Sequence, residues 1–264
     1  MKRHGLLLCL LVLMLQAMAQ KTDFTRLITQ GVTYTGRTFA HADGSVSFDW
    51  IGVYAQTDFT GGTIAVDMSS TRPCYFNVFI DGEWTQKIFA DSLSHQRIVL
   101  AEKLGKGTHR LRLQRACEGN GITTIHGFYG AKGARLKAVE RKSRMIEIFG
   151  DSYTCGYGSD SPTQNEHFKI ETENVDHAYG CLIARYFDTD YAIQAHSGQG
   201  MVRNYGDKKQ RSDYSMLDRH TKVYDNDKTV EYDFKAYRPD IVLINLGTND
   251  FSRAVTPPPD QYVA

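Results

Sequence analysis

Several things are missing from this 264-residue sequence, and each absence narrows what the protein does. Lys and Arg total 31 against 30 Asp and Glu, with no long basic stripe, so the electrostatic footprint of a nucleic-acid binder is lacking. Neither G-x-G-x-x-G nor G-x-x-x-x-G-K-[ST] occurs, which removes the usual support for dinucleotide or nucleotide binding. No C-x-x-C is present, so neither a zinc ribbon nor a thioredoxin-type motif is supported. There is no internal repeat and no low-complexity segment. Beyond the first twenty residues no apolar run is long enough to span a bilayer.

The N-terminal run has a different reading. Lys2 and Arg3 precede the apolar stretch Leu6–Leu15, and Ala17-Met18-Ala19 follows. A basic start, a short greasy core and an A-x-A site are the pattern of a secretory leader, with cleavage expected after Ala19 and export to the periplasm or medium. Cys9 lies inside the apolar core, where lipidation is not expected. Without Lys2 and Arg3 the 31 basic residues fall to 29 against 30 acidic, a formal charge of −1. Cys74, Cys117, Cys155 and Cys181 remain, and an exported compartment permits the pairs 74–117 and 155–181. Four buried thiols are the favoured alternative, because free Cys packs like a small hydrophobe.

Two rhythms divide the rest. Residues 24–139 read as short strands. "YFNVFIDGEW" puts Phe76, Val78 and Ile80 on one face and ends in Asp81-Gly82, a hairpin signal because a tight primed turn needs positive φ at both positions. "GTIAVDMSS" and "HRLRLQRAC" alternate, and Gly105-Lys106-Gly107 marks another turn. Many short strands between turn residues predict an antiparallel sandwich or jelly roll. Residues 137–144, "KAVERKSR", read as a polar linker. After it, "MIEIFG" and "DIVLINLG" are compact apolar runs of the kind buried on both faces of a parallel sheet. "TDYAIQAHSG" is a further strand, and 176–187 carries helical spacing with Asp176 as its expected N-cap. Residues 144–264 are thus expected to form an α/β domain.

Three polar clusters stand at the ends of these apolar runs: Gly150-Asp151-Ser152, Ser197-Gly198-Gln199-Gly200 and Gly247-Thr248-Asn249-Asp250. Open α/β sheets bind ligands beyond the carboxyl ends of their strands, where the fold can gather all three. A serine attacking an ester carbonyl creates an oxyanion that needs fixed donors in a water-poor site. The N–H groups of Ser152 and Gly198 and the amide of Asn249 are the candidates. Asp151 and Asp250 are expected to pin their loops by accepting backbone N–H bonds rather than to work as an acid–base pair.

"GDSYTCGYG", "SGQG" and "GTND" resemble the first three blocks of the SGNH (GDSL-type) hydrolases. With "FDWIGVYAQTDFTGG", "VFIDGEW" and "LGKGTHRLRLQRACEGNG" ahead of them, nearly the whole chain after the leader is similar to carbohydrate esterase family 2. That resemblance implies a jelly roll joined to a three-layer SGNH domain, and deacetylation of plant polysaccharides such as xylan or glucomannan without metal or other cofactor. It implies Ser152 as nucleophile, with Gly198 and Asn249 completing the oxyanion hole. An acetylated polysaccharide or oligosaccharide is the implied partner. The family's histidine belongs to a final Asp-x-x-His block, and that pattern occurs nowhere in the sequence. "TPPPDQYVA" resembles a helix start, so a C-terminally shortened, incomplete sheet is expected, and the catalytic histidine is absent from this chain.

Thr154 stands where the last glycine of G-x-S-x-G would be, so this is not that elbow. His196 is a poor base candidate ahead of Ser197, while His167 and His220 lie in polar, solvated stretches. Tyr153, Tyr157 and Tyr179 are expected in the core, as are Trp50 and Trp84. "DNDK" (225–228) echoes a calcium loop but has Val230 at its sixth position, so it reads as a solvated turn. A non-catalytic carbohydrate-binding protein, or a decayed esterase, is the alternative that the missing base favours. A GDSL-type lipase or thioesterase comes last, because the Tyr-rich second half offers no greasy lid.

Overall fold

The computed structural model describes residues 24–263 apart from 28, 92, 119–120 and 254; the leader expected at 1–19 lies outside the described residues. The first part carries β1 (Thr25–Arg26), β2 (Thr33–Thr35), β3 (Phe39–Ala40), β4 (Val46–Phe48), β5 (Tyr54–Thr60), β6 (Ile64–Ser70), β7 (Cys74–Ile80), β8 (Glu83–Ala90), β9 (Gln96–Ala101), β10 (Thr108–Arg115), β11 (Thr123–Gly130) and β12 (Leu136–Ala138). They form two antiparallel sheets, ordered β3-β4-β11-β6-β9 with β1 beside β11, and β12-β5-β10-β7-β8 with β2 beside β5. Phe76, Val78, Leu111, Leu113, Phe48 and Phe128 interdigitate between them, the arrangement of a sandwich whose alternating residues fill one core. Asp81 (φ 54°) and Gly82 (φ 92°) make the β7–β8 turn as their sequence predicts. Trp50 is fully buried, whereas Trp84 is 56% exposed on β8, correcting its expected place in the core.

The second part has a parallel sheet with β13 (Met145–Gly150) between β14 (Asp190–Ala195) and β15 (Ile241–Asn245). The helices are α1 (Ser152–Cys155), α2 (Tyr179–Tyr186), α3 (Met216–Arg219) and α4 (Pro259–Val263). The strands β13 and β14 are buried almost throughout. Ile241, Val242 and Ile244 on β15 are exposed, so "DIVLINLG" is an edge strand rather than one buried on both faces. The helix α2 also starts later than its apolar pattern suggests. Asp176 sits in a 3-10 turn capped by Asn174, and its carboxylate is drawn to Arg185 at 2.8 Å and Arg112 at 3.3 Å instead of capping.

A polar and apolar seam joins the two parts. Ile51 and Tyr54 of the β sandwich pack with Ile146, Ile148 and Ile193 of the parallel sheet. Tyr54 Oη donates to Asp190 at 2.7 Å, and Arg37 makes a buried 3.0 Å ion pair with Glu147. The loop at 225–228 is part of this seam. Asp225 is buried, its N–H donates to Asp49 at 2.6 Å, and its carboxylate pairs with Arg219 and His196. The solvated turn expected there is therefore corrected for Asp225: Arg219 and His196 compensate the desolvation of its carboxylate.

Candidate active site

The three polar clusters meet at one end of the parallel sheet, because β13, β14 and β15 are adjacent and in register. Each loop begins where its strand stops. Ser152 opens α1 immediately after β13, and Asp151 accepts the Tyr153 N–H at 3.1 Å, fixing the turn. Ser152, Ser197, Gly198, Thr248 and Asn249 line a single open cleft of about 950 Å³. The cleft is bordered by exposed rings: Tyr153 is 66% exposed, and Tyr157, also exposed, stacks on Phe168 at 4.0 Å between centroids. These two tyrosines are not the core residues expected from their sequence context. At the end of a strand, facing a cleft, their rings have no second layer to bury against.

The second loop turns at His196–Gln199, closed by a Gln199 N–H bond to the His196 carbonyl at 3.2 Å. Gly198 has φ +78° at the third position, as a type II turn requires. Its carbonyl accepts the Tyr205 N–H at 2.8 Å. Among the described residues, neither the Ser152 nor the Gly198 N–H has a protein acceptor, so both are free to meet an anion in the cleft.

The third loop supplies the pins. Asp250, fully buried, accepts the N–H groups of Met201, Val202 and Arg203 at 2.9, 2.8 and 2.9 Å, tying the second and third loops together. Gly200 fits beneath it because a Cβ there would lie 1.9 Å from the Arg203 carbonyl oxygen and 2.6 Å from Asp250 Oδ2. Asn249 donates its amide to the Gln199 carbonyl at 2.7 Å and to Asp151 Oδ2 at 3.2 Å. An oxyanion would receive this amide only by displacing one of those acceptors, of which the longer Asp151 contact is the weaker. Burial raises the Asp151 carboxyl above the ordinary range.

Two groups near the cleft are carried by the β sandwich or bonded to it: His196, whose partner Asp225 the sequence did not mark, and Glu118, which it did not mark at all. His196 Nδ1 lies 2.5 Å from Asp225, whose backbone Asp49 holds. Burial opposes a charge on His196, but the Asp225 charge and hydrogen bond outweigh it and raise its pKa. Glu118 follows β10 and accepts the Ser197 N–H at 2.7 Å and the Cys155 thiol at 3.5 Å. Glu173 in turn accepts the Glu118 N–H at 2.9 Å. Burial, with the Glu118 charge second, pushes the Glu173 carboxyl up to about 9. Glu118, Cys155 and Glu173 bring ligand-type atoms within 4.8 Å of one another. A proton on Glu173 leaves the pair with a single charge, and the buried Cys155 thiol, pushed up by burial, stays protonated beside it. No local pattern marks Glu118; only the pairing of sheets across the seam brings it here.

The histidines lie as follows. His177 lines the cleft, with Nδ1 2.8 Å from Asp160. His167 is exposed. The His220 Nδ1 is spent on the Leu217 carbonyl at 2.6 Å. Among the described residues no side chain hydrogen-bonds the Ser152 hydroxyl. Among the described residues Cys74, Cys117, Cys155 and Cys181 are free and buried, and Cys74 and Cys117 face each other with sulfurs 3.7 Å apart.

Comparison with known proteins identifies the family. Residues 34–139 match the model "Carbohydrate esterase 2 N-terminal", and residues 148–263 match the "GDSL-like Lipase/Acylhydrolase family". An acetylxylan esterase / glucomannan deacetylase of Cellvibrio japonicus is 32% identical over 97% of this chain and 70% of its own length. The cellulase/esterase CelE of Acetivibrio thermocellus is 31% identical over 84% of this chain and 27% of its own length. Among solved structures, a family two carbohydrate esterase from Clostridium thermocellum in complex with cellohexaose superposes with a TM-score of 0.80 at 28% identity, covering 86% of this chain and 68% of that one.

Proposed function

This chain belongs to carbohydrate esterase family 2, a family of carboxylic ester hydrolases, and from that premise we propose that it is an exported enzyme that removes acetyl groups from a plant-type polysaccharide such as xylan or glucomannan, with Ser152 as nucleophile. The reading rests on one observation above the others: Ser152 and the unpaired Gly198 N–H stand at the ends of adjacent parallel strands and line the same cleft.

In this account Ser152 Oγ attacks the acetyl carbonyl carbon, and the carbonyl π electrons move onto oxygen. The N–H groups of Ser152 and Gly198 receive that oxyanion, with the Asn249 amide as third donor once it leaves Asp151. Collapse breaks the bond to the sugar oxygen, which departs as a hydroxyl, and water then releases acetate from the acetylated serine. The serine proton needs a base within hydrogen-bond reach. The family resemblance assigns that base to a histidine of an Asp-x-x-His block, a pattern these 264 residues do not contain. Export follows from the leader pattern, and among the described residues no helix is long and apolar enough to cross a membrane.

The test is acetate release from acetylated xylan and acetylated glucomannan by the full protein and by Ser152→Ala. The account expects release by the first and loss by at least about a thousandfold in the second. A second reading, carbohydrate binding without turnover, is favoured by the unpaired Ser152 hydroxyl and by the exposed Tyr153, Tyr157 and Tyr205 beside it. Cello-oligosaccharide binding that survives Ser152→Ala, with no acetate released by the unaltered protein, would replace the first reading with the second.

A further inference from the structure

Glu118 occupies an expensive position. It is buried in the seam between the two parts, and the carboxyl of Glu173 is buried beside it. Two carboxyl groups in one dry pocket repel each other, and apolar side chains of similar volume would fill the space at lower cost. What an apolar side chain could not do is accept a hydrogen bond. Glu118 accepts two, and both come from the loops of the candidate active site. The Ser197 N–H, at 2.7 Å, belongs to the turn that carries Gly198, and the Cys155 thiol, at 3.5 Å, belongs to the helical turn that begins with Ser152.

The carboxylate is itself aimed. Arg115, fully buried, donates to the carbonyls of Cys117, Glu118 and Gly121 at 3.0, 2.5 and 2.9 Å, and Glu173 accepts the Glu118 N–H at 2.9 Å. The backbone of 117–118 is thereby held on both sides, so the side chain leaves it in one direction. On the far side of the turn, the Gly198 carbonyl is held by Tyr205. With Ser197 tied to Glu118, the peptide between these two anchors has little freedom, and the Gly198 N–H, at a residue lining the cleft, has no acceptor among the described residues.

We propose that Glu118, supplied by the β sandwich, is a positioning residue for the hydrolase site: by holding the Ser197 N–H it sets the direction of the Gly198 N–H that receives the oxyanion. This rests on the esterase reading of Ser152 and Gly198. It makes the sandwich a working part of the catalytic unit rather than a neighbour of it. A preorganised donor is effective because it need not reorient as charge develops, and a donor left to wander loses much of that advantage. Deleting a donor outright costs about 10²–10³ in turnover, so misdirecting one is expected to cost about 10–100-fold.

The experiment compares the unaltered full chain with Glu118→Ala, Glu118→Gln and Ser152→Ala. One measurement is amide hydrogen exchange across residues 196–200, and the other is kcat and KM on 4-nitrophenyl acetate. In Glu118→Ala, exchange across 196–200 should accelerate about tenfold or more, as expected for loss of a charge-assisted bond. Its kcat should fall about 10–100-fold with KM within about twofold, because an interaction made only in the transition state is lost. Glu118→Gln keeps an acceptor oxygen and should recover most of both. If the alanine variant does not fold, Glu118→Asp, which withdraws the carboxylate from Ser197 by one methylene, should show the same two changes. Unchanged exchange at 196–200 overturns the proposal whatever happens to activity. Faster exchange with unchanged kcat, while Ser152→Ala is inactive, overturns the positioning role and leaves the esterase reading standing. A Ser152→Ala enzyme as active as the unaltered chain overturns the esterase reading itself, and the catalytic role of Glu118 with it.

Discussion

Replacing Glu173 by Gln should stabilise the protein, and increasingly so as pH rises. Glu173 is fully buried; one of its oxygens accepts the Glu118 N–H and the other has no partner. Gln has nearly the same shape, keeps an acceptor for that N–H and carries no ionisable group. Burial and the Glu118 charge place the folded-state pKa at about 9, against about 4.3 in an unfolded chain. The sign follows from proton counting. Between those two values the folded state holds a proton that the unfolded state has released, so stability is fullest below about pH 4.3 and falls as pH climbs toward 9. One pH unit in that window is worth about 1.4 kcal/mol, so between pH 5 and pH 7 the loss is on the order of 2–3 kcal/mol. The Gln variant lacks this loss. Urea unfolding of both proteins at pH 5, 6, 7 and 8 should give free energies close together at pH 5 and separated by a few kcal/mol at pH 8, with the variant more stable. A difference that does not change with pH would refute the reasoning, since Glu173 would then titrate alike folded and unfolded.

Other perturbations probe the remaining supports of the site. Asp250→Ala leaves three buried backbone N–H groups without their acceptor, each worth about 1 kcal/mol or more; a melting-temperature drop of about 6–12 °C is expected in a calorimetric scan, and a drop under 2 °C would show that Asp250 is not the pin. Gly200→Ala puts a Cβ against the Arg203 carbonyl and Asp250; it should disorder the loop, read as loss of activity together with faster amide exchange at 198–204. His196, raised by Asp225, should titrate by NMR above the ordinary value of about 6.5, so that its ion pair is complete below that pH and is lost as pH rises through the folded midpoint. In Asp225→Asn the largest influence opposing burial is removed, with only the Glu118 charge left to raise the imidazole, and the midpoint should fall; an unmoved midpoint would contradict the pairing.

How much of this could be read from residues alone varies with the range of the interactions involved. The hairpin at Asp81-Gly82 and the loops after β13, β14 and β15 depend on local chemistry, namely turn residues directly behind apolar runs, and they stand where those residues point. Asp250 was expected to collect N–H groups of its own loop; it collects those of Met201, Val202 and Arg203 instead, 47–49 residues away, a reach that no local window shows. Asp176, too, forgoes the N-cap because Arg112 and Arg185 compete for it. Arg112 comes from β10, a partner that no window around residue 176 contains. Asp225 and Glu118 were illegible for the same reason. Each is a polar residue in a turn-like stretch whose burial is decided by the other half of the chain. Tyr153 and Tyr157 erred the opposite way, since apolar bulk predicts burial only where a second layer exists to supply it.

The central claim is that Ser152 is the nucleophile of an acetyl esterase, and covalent labelling tests it most directly. The full protein would be incubated with a 4-nitrophenyl phosphonate ester, digested and mapped by mass spectrometry, with Ser152→Ala alongside. The account predicts one phosphonyl group on the peptide bearing Ser152, loss of acetate release in step with labelling, and no label in the variant. Label on another residue, or acetate release that persists after Ser152 is fully modified, would contradict it.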